Sequence, residues 1–240
     1  MSIHIGTSGW YYPHWVDRFY PVGLRRQDWL EYYSRHFDCA EVNNTFYRLP
    51  TPDSIDRWLA QTPRHFSFTL KASRFITHMK KLRDCAAPLA EFLGLARRLG
   101  ERLGAVVFQL PPHWHANKER LEVFLALLPD DLQFAIEFRD PSWHVEGIYQ
   151  LLRQHGVAFC QFDLAGFRSP AVVTAGLVYL RLHGPREAYA GNYDDMRLRQ
   201  WADSLNAWNE DGYDAYVFFD NDQDACAVHN ALALQELVAR

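Results

Sequence analysis

The chain has 240 residues, of which 48% are hydrophobic and 22% charged, with a net charge of −4 at neutral pH. That supports a sizeable core in one large domain or two small ones, and it argues against broad nonspecific binding to nucleic acid or to an anionic membrane. No apolar run approaches the ~20 residues that span a bilayer, no basic-then-apolar leader opens the sequence, and Cys39, Cys85, Cys160 and Cys226 are scattered with no CxxC pair. Neither a zinc knuckle nor a disulfide framework is indicated, and a reducing cytoplasm is the expected compartment.

The first strand-like run is IHIGTS from Ile3, followed by a helical face of Trp29, Leu30, Tyr33 and Phe37. CAEVNN from Cys39, a helix near 52–61 and FSFTLKA from Phe66 come next. A helix near 88–103 leads to AVVFQLP from Ala105. Leu121, Phe124, Leu125 and Leu128 then share a helical face after an N-cap at Asn117. FAIEFR from Phe134, a helix near 145–155 and VAFCQFD from Val157 continue the alternation. The connection from Leu164 to Gly176 is short and turn-rich and is expected to hold little helix. LVYLRLHG from Leu177, a helix near 194–210, DAYVFFDN from Asp214 and a helix near 223–239 complete the chain. Eight strands alternating with about seven helices predict a single α/β domain over 1–240, a TIM-type (β/α)8 barrel with its sixth helix short or missing. A doubly wound open sheet is the alternative. It calls for a Gly-rich phosphate turn after the first strand, and GTSGWYY is not GxGxxG.

Within the strands the large apolar residues keep one parity: Ile3 and Ile5, Ala40 and Val42, Phe66, Phe68 and Leu70, Val106, Phe108 and Leu110, Phe134, Ile136 and Phe138, Val178, Leu180 and Leu182. These are expected to face the helices and the other parity the barrel interior. Late in the strands that second parity reads Gly6 and Ser8, Glu41 and Asn43, Lys71, Gln109, Glu137 and Arg139, Gln161 and Asp163, Arg181 and His183. The last strand is apolar on both faces until Asp220 and Asn221. The interior thus turns polar at the C-terminal strand ends, where barrel enzymes place their chemistry.

The segments IGTSGWYYPHW, FYP, EVNNTFYRLP, FSFTLKA, FQLPP, IEFRDPSW, YLRLHG and FFDND, with NA at Asn230, run from Ile5 to Ala231 and together resemble the YecE-like family, a group of TIM-barrel proteins named for a domain of unknown function. The family pattern reads Asn-Asn where this chain has Asp220-Asn221. The resemblance implies a TIM barrel and no particular reaction, so function has to be argued from the site.

Glu41 and Glu137, from opposite sides of the barrel, and His183, as a residue type whose charge can change near neutral pH, are the candidate acid–base groups. Ser8, Trp10, Asn43, Tyr47, Lys71, Gln109, Arg139, Asp163, Arg181 and Asn221 are the candidate ligand-binding residues. Arginine forks and a lysine point charge suit a carboxylate or phosphate. The loop after the third strand adds Arg74, Lys80, Lys81 and Arg83, and rings crowd the same rim: Trp10, Tyr11, Tyr12, Trp15, Tyr47, Trp114 and Trp143. Cations beside rings point to an anionic small molecule, a phosphorylated sugar or nucleotide, bound without a cofactor. Lys71 could form a Schiff base if desolvated, a role ranked below binding. Cys39 is read as a buried, inert thiol. A metal-dependent hydrolase, nuclease or isomerase using Glu41, Glu137, Asp163 and His183 is one alternative. The cations Lys71, Arg139 and Arg181 oppose a metal there, and the His113–His115 pair is a weak signal. A non-catalytic binder of nucleic acid or a metabolite is the other alternative.

Overall fold

Short runs of alternating residues at regular spacing become parallel strands separated by helices in a computed structural model, which describes residues 1–238. The strands are β1 (Ile3–Thr7), β2 (Cys39–Val42), β3 (Ser67–Lys71), β4 (Leu103–Gln109), β5 (Phe134–Glu137), β6 (Ala158–Leu164), β7 (Phe167–Arg168), β8 (Leu177–Leu182) and β9 (Asp214–Phe219). Their order is β1-β9-β8-β6-β5-β4-β3-β2, all parallel, with the two-residue β7 turned back antiparallel on β6. The helices are α1 (Trp29–Tyr33), α2 (Asn44–Tyr47), α3 (Pro52–Gln61), α4 (Ala86–Ala96), α5 (Lys118–Leu125), α6 (Glu146–Gln154), α7 (Asp195–Glu210) and α8 (Cys226–Val238). This is the expected barrel, nearly closed, and no helix lies between β6 and β8: the β6–β7 hairpin takes its place.

The helix bounds differ from the sequence expectations for local reasons. The helix expected over 88–103 stops as α-helix at Ala96, continues as a tighter turn, and breaks at Gly100, whose φ of 58° lies in the left-handed region. Phe37 and Leu128 fall beyond α1 and α5, though both still pack on the core. The last helix begins three residues late, after a 3₁₀ turn at Gln223–Ala225, and position 239 lies outside the described residues.

Closure depends on β1 and β2, whose seam has a single ladder contact: the Gly9 amide donates to the Glu41 carbonyl at 2.8 Å, beside the Ser8–Glu41 bridge. One rung lower the Thr7 amide and the Cys39 carbonyl are linked through a side chain instead of to each other. The Tyr33 hydroxyl from α1 fills the gap, accepting from the Thr7 amide at 2.9 Å and donating to the Cys39 carbonyl at 3.1 Å. Gly6 permits this approach, since a Cβ there would sit 2.4 Å from the Cys39 carbonyl oxygen. The helix-facing parity makes the outer core. The other parity fills the barrel with Cys39, Ala105, Val107, Ala135, Ala158, Cys160, Leu177, Tyr179, Tyr216 and Phe218.

Strand β6 departs from the expected parity. Ala158 and Cys160 point into the barrel with Phe162 above them, so Gln161 and Asp163 point out. The register enforces this: Cys160 pairs with Tyr179 and Phe162 with Arg181, both inward. Apolar residues on both faces had hidden the phase. The same logic resolves β9, where Tyr216 and Phe218 point inward and carry Asp220 to the mouth, leaving Asn221 on the other side.

Candidate functional site

The barrel floor is built from tyrosines. Ser67 and the Tyr216 hydroxyl are 2.8 Å apart, and Gly104 leaves room for that ring, since a Cβ there would meet it at 2.5 Å. One layer up, the Tyr179 hydroxyl lies 3.0 Å from Thr69 Oγ1 and donates to Glu41 Oε2 at 2.7 Å. On this floor sits Arg181, fully buried. Its Nη2 donates to Glu41 Oε1 at 2.6 Å, its Nε to the same oxygen at 3.1 Å, and its Nη1 to Glu137 Oε2 at 2.8 Å. Ser8 Oγ adds a 2.6 Å bond to Glu41 Oε1. Buried charges persist only when paired and hydrogen-bonded in this way.

The network continues toward the mouth. Arg139 donates through Nε to Glu137 Oε1 and through Nη2 to His183 Nε2 at 2.8 Å, with its guanidinium 5.1 Å above the Phe162 ring. His183 Nδ1 lies 2.9 Å from Asp220 Oδ2. An arginine N–H can only donate, so Nε2 accepts from Arg139 and Nδ1 is the nitrogen that donates to Asp220. Burial pushes Glu137 up, but Arg139, then Arg181 and His183, outweigh it and hold the carboxyl well below the ordinary range. Asp220 is likewise lowered, its burial opposed by the His183 hydrogen bond and then by Arg181.

Lys71 is the exception among these charges. It ends β3 pointing inward, with Nζ 4.6 Å over the Phe46 ring, and among the described residues that Nζ has neither an ion pair nor a hydrogen bond, although the Lys71 carbonyl accepts from Thr45 Oγ1 at 2.6 Å. Burial, then the nearby Arg181, lower its ammonium to about 8, against the pull of Asp220, Glu41 and Glu137. His78, from the turn Phe75–Met79 after β3, packs on the same ring with centroids 5.0 Å apart. It is lowered by burial and then by Lys71, Arg74 and Arg139.

Of the residues singled out in the sequence, Ser8, Glu41, Lys71, Glu137, Arg139, Arg181 and His183 therefore converge. Gln109 reaches the same face of β4, but its Nε2 is bonded only to the Leu110 carbonyl, at 3.4 Å. Asn43 donates to the Ser8 carbonyl at 3.3 Å. Tyr47 is exposed at the rim with Arg74 5.8 Å over its ring. Trp10 packs edge-on against Trp58 and Phe68 and lines a separate cleft of about 500 Å³ with Tyr11, Tyr12, Asn43 and Arg57. None of Ser8, Glu41, Lys71, Glu137, Arg139, Arg181 and His183 lines that cleft. Trp15 and Trp143 are buried packing residues whose indole N–H groups are bonded to the carbonyls of Asp222 and Trp114.

Two candidates fall elsewhere. Asp163 lies outside the barrel wall, its carboxylate 3.8 Å from Arg168 and 3.7 Å from Arg197, buried and without a hydrogen bond. Asn221 ties the Gly191 carbonyl and Asn230 together at 2.7 and 2.9 Å, away from the cluster. Of the basic loop, His78 packs on the Phe46 ring that Lys71 also covers and Arg74 lies over Tyr47 at the rim, whereas Lys80, Lys81 and Arg83 line an open recess with Arg120. Residues the sequence reading did not select are Tyr179, His78 and Asp220. Tyr179 shares the inward parity of Arg181 two residues on, a signal that was present. Asp220 needed the register of β9. Among the described residues no group of three His, Cys, Asp or Glu side chains is gathered to hold a metal. No described helix is long and apolar enough to cross a membrane.

A family profile described as "Protein of unknown function DUF72" matches residues 4–240. The chain is 36% identical over 146 residues, 60% of its length, to the UPF0759 protein YecE of Escherichia coli strain K12, and the match spans 51%, about half, of YecE. It is 26% identical to the UPF0759 protein YunF of Bacillus subtilis over 98% of this chain and 94% of that one. A DUF72 family protein from Thermotoga maritima superposes over the full length of both chains with a TM-score of 0.91 at 28% identity. One from Enterococcus faecalis gives 0.84 at 19% identity, covering 99% of this chain and 96% of that one, a likeness of fold. With the profile matching nearly every residue, the chain belongs to the DUF72 family of proteins of unknown function, as a YecE-like member.

Proposed function

We propose that this barrel is an enzyme that binds an anionic small molecule, of the sugar-phosphate or nucleotide kind, at its C-terminal mouth and transforms it by acid–base chemistry. The observation that carries the reading is the unpaired Lys71. Every other charge of the cluster has its counterion, whereas among the described residues the Lys71 ammonium has none and shares the Phe46 ring with His78. An anion there would supply the missing charge. Arg181 is not a ligand group in this reading: its bonds to Glu41 and Glu137 position both carboxylates. The same bridge argues against a glycosidase pair, because a guanidinium occupies the space between the glutamates and Glu137 is held far too acidic to serve as a general acid. His183 is the acid–base group. Its Nε2 is capped by Arg139. A ligand anion that draws Arg139 toward itself uncovers the Nε2 lone pair, with Asp220 already in place to stabilise the imidazolium.

Thermal-shift titration with inorganic phosphate, sugar phosphates and nucleotides tests this. At least one is expected to stabilise the wild type, and the shift is expected to shrink in both Lys71→Met and Arg139→Gln. No stabilisation of the wild type, or equal shifts in the variants, would overturn the reading.

A further inference from the structure

We propose that the Lys71 ε-amine is a nucleophile that condenses with the carbonyl carbon of an anionic aldehyde or ketone, forming an imine. This rests on the reading of the mouth as an anion site and names its substrate class, a small carbonyl compound carrying a phosphate or carboxylate. Three features of the surroundings support it. A lysine placed for structure alone would be given a carboxylate, but Glu41, Glu137 and Asp220 are all engaged by Arg181, Arg139 and His183. The amine sits 4.6 Å over the Phe46 ring in the barrel mouth, and burial there strips hydration from its charged form. Charges act on it from several elements: Arg181 on β8, Glu41 on β2, Glu137 on β5, Asp220 on β9 and His78 on the turn after β3.

Burial and Arg181 dominate, so the group titrates at about 8. At about pH 7.5 roughly a quarter of such an amine is neutral, against about one part in a thousand for an ordinary lysine. That is how an amine is made nucleophilic at physiological pH. In the step itself the nitrogen lone pair forms the new C–N bond as the carbonyl π pair moves onto oxygen. Two protons leave the nitrogen and depart with that oxygen as water, so nothing is oxidised or reduced. His78 is the residue placed to carry the proton: its Nδ1 is 2.9 Å from Thr77 Oγ1, and among the described residues its Nε2 is unbonded. The anionic end of the substrate would lie on Arg139 and Arg74.

The chain has only four lysines, Lys71, Lys80, Lys81 and Lys118, so each is an internal control for the others. The wild-type protein is treated over a pH series with formaldehyde, a neutral aldehyde, or with pyridoxal 5′-phosphate, an anionic one. Both are reduced with borohydride and mapped by peptide mass spectrometry. Lys71 is expected to label about tenfold or more ahead of the other three in both arms at about pH 7.5, with a midpoint near 8. Phosphate is expected to compete in the second arm. A Lys71 that labels no faster than Lys80, Lys81 and Lys118 with formaldehyde, or titrates near 10.5, overturns the proposal. Preference with formaldehyde but none with pyridoxal phosphate overturns the anionic substrate class and the parent reading with it. Anion binding that survives in the thermal-shift assay while Lys71 stays inert leaves the parent reading standing and removes the imine.

Discussion

Arg181 carries both glutamates of the barrel interior at once, and removing any partner leaves a buried charge uncompensated. Glu137 is the most exposed to this logic, since it answers Arg139 on one oxygen and Arg181 on the other. Glu137→Gln keeps the shape but deletes the charge. Breaking a buried ion pair in this way costs about 3–5 kcal/mol, far above the median for a surface pair. Urea unfolding monitored by tryptophan fluorescence is expected to show that loss. A change within about 0.5 kcal/mol would mean that the cluster is held by its packing and not by its charges. At this scale the sequence was informative wherever strand parity was unambiguous: Glu41, Lys71, Glu137, Arg139, Arg181 and His183 could all be placed inside from alternation alone. Asp163 could not, because Phe159, Phe162 and Cys160 give β6 two apolar faces, and only its pairing with β8 sets the phase.

The seam between β1 and β2 is where the elements close the barrel, and a side chain takes the place of a ladder rung. The Tyr33 hydroxyl joins the Thr7 amide to the Cys39 carbonyl, and Thr7 Oγ1 donates to it as well, at 2.9 Å. Tyr33→Phe leaves a backbone N–H and C=O buried and unpaired, which costs about 1–3 kcal/mol. Amide hydrogen exchange is expected to show faster exchange localised to the Thr7 amide, while the β8–β9 ladder stays protected. Uniform loss of protection across the sheet, or none at Thr7, would argue that Tyr33 is only a packing residue. The alternation of Tyr33 with Phe37 on a helical face predicted burial of this ring but not its hydroxyl's errand, which depends on how far apart two other elements come to rest. The missing sixth helix, in contrast, was legible from the short, turn-rich segment after Leu164, and the hairpin at Phe167–Arg168 occupies that place.

Over the whole molecule the buried charges set how stability depends on pH. Glu137 and Asp220 bind protons less readily folded than unfolded, so their contribution is fully present above the ordinary carboxylate range near pH 4 and is lost as the pH falls through their lowered folded values. Lys71 is a base with a lowered folded value, so its burial costs stability below pH 8 and that cost is relieved as the pH rises from about 8 to 10.5. Denaturant midpoints across pH are therefore expected to fall steeply below about pH 4 in the wild type and less steeply in Glu137→Gln. Lys71→Met is expected to gain over the wild type at pH 7 and to lose that advantage above pH 8. Parallel curves for the three proteins would sink this account. The barrel class, the polar and apolar faces of the strands other than β6 and β9, and the membership of most of the cluster were determined by the sequence alone, because alternation and spacing are local properties that survive without knowledge of neighbours. The tertiary structure decided the rest: that Arg181 is consumed by the two glutamates, that Asp220 and not Asp163 completes the cluster, and that among the described residues of the cluster Lys71 is left without a counterion. Those facts depend on register and on which charges are satisfied first, and both are set only when strands distant in sequence are brought to one end of the barrel.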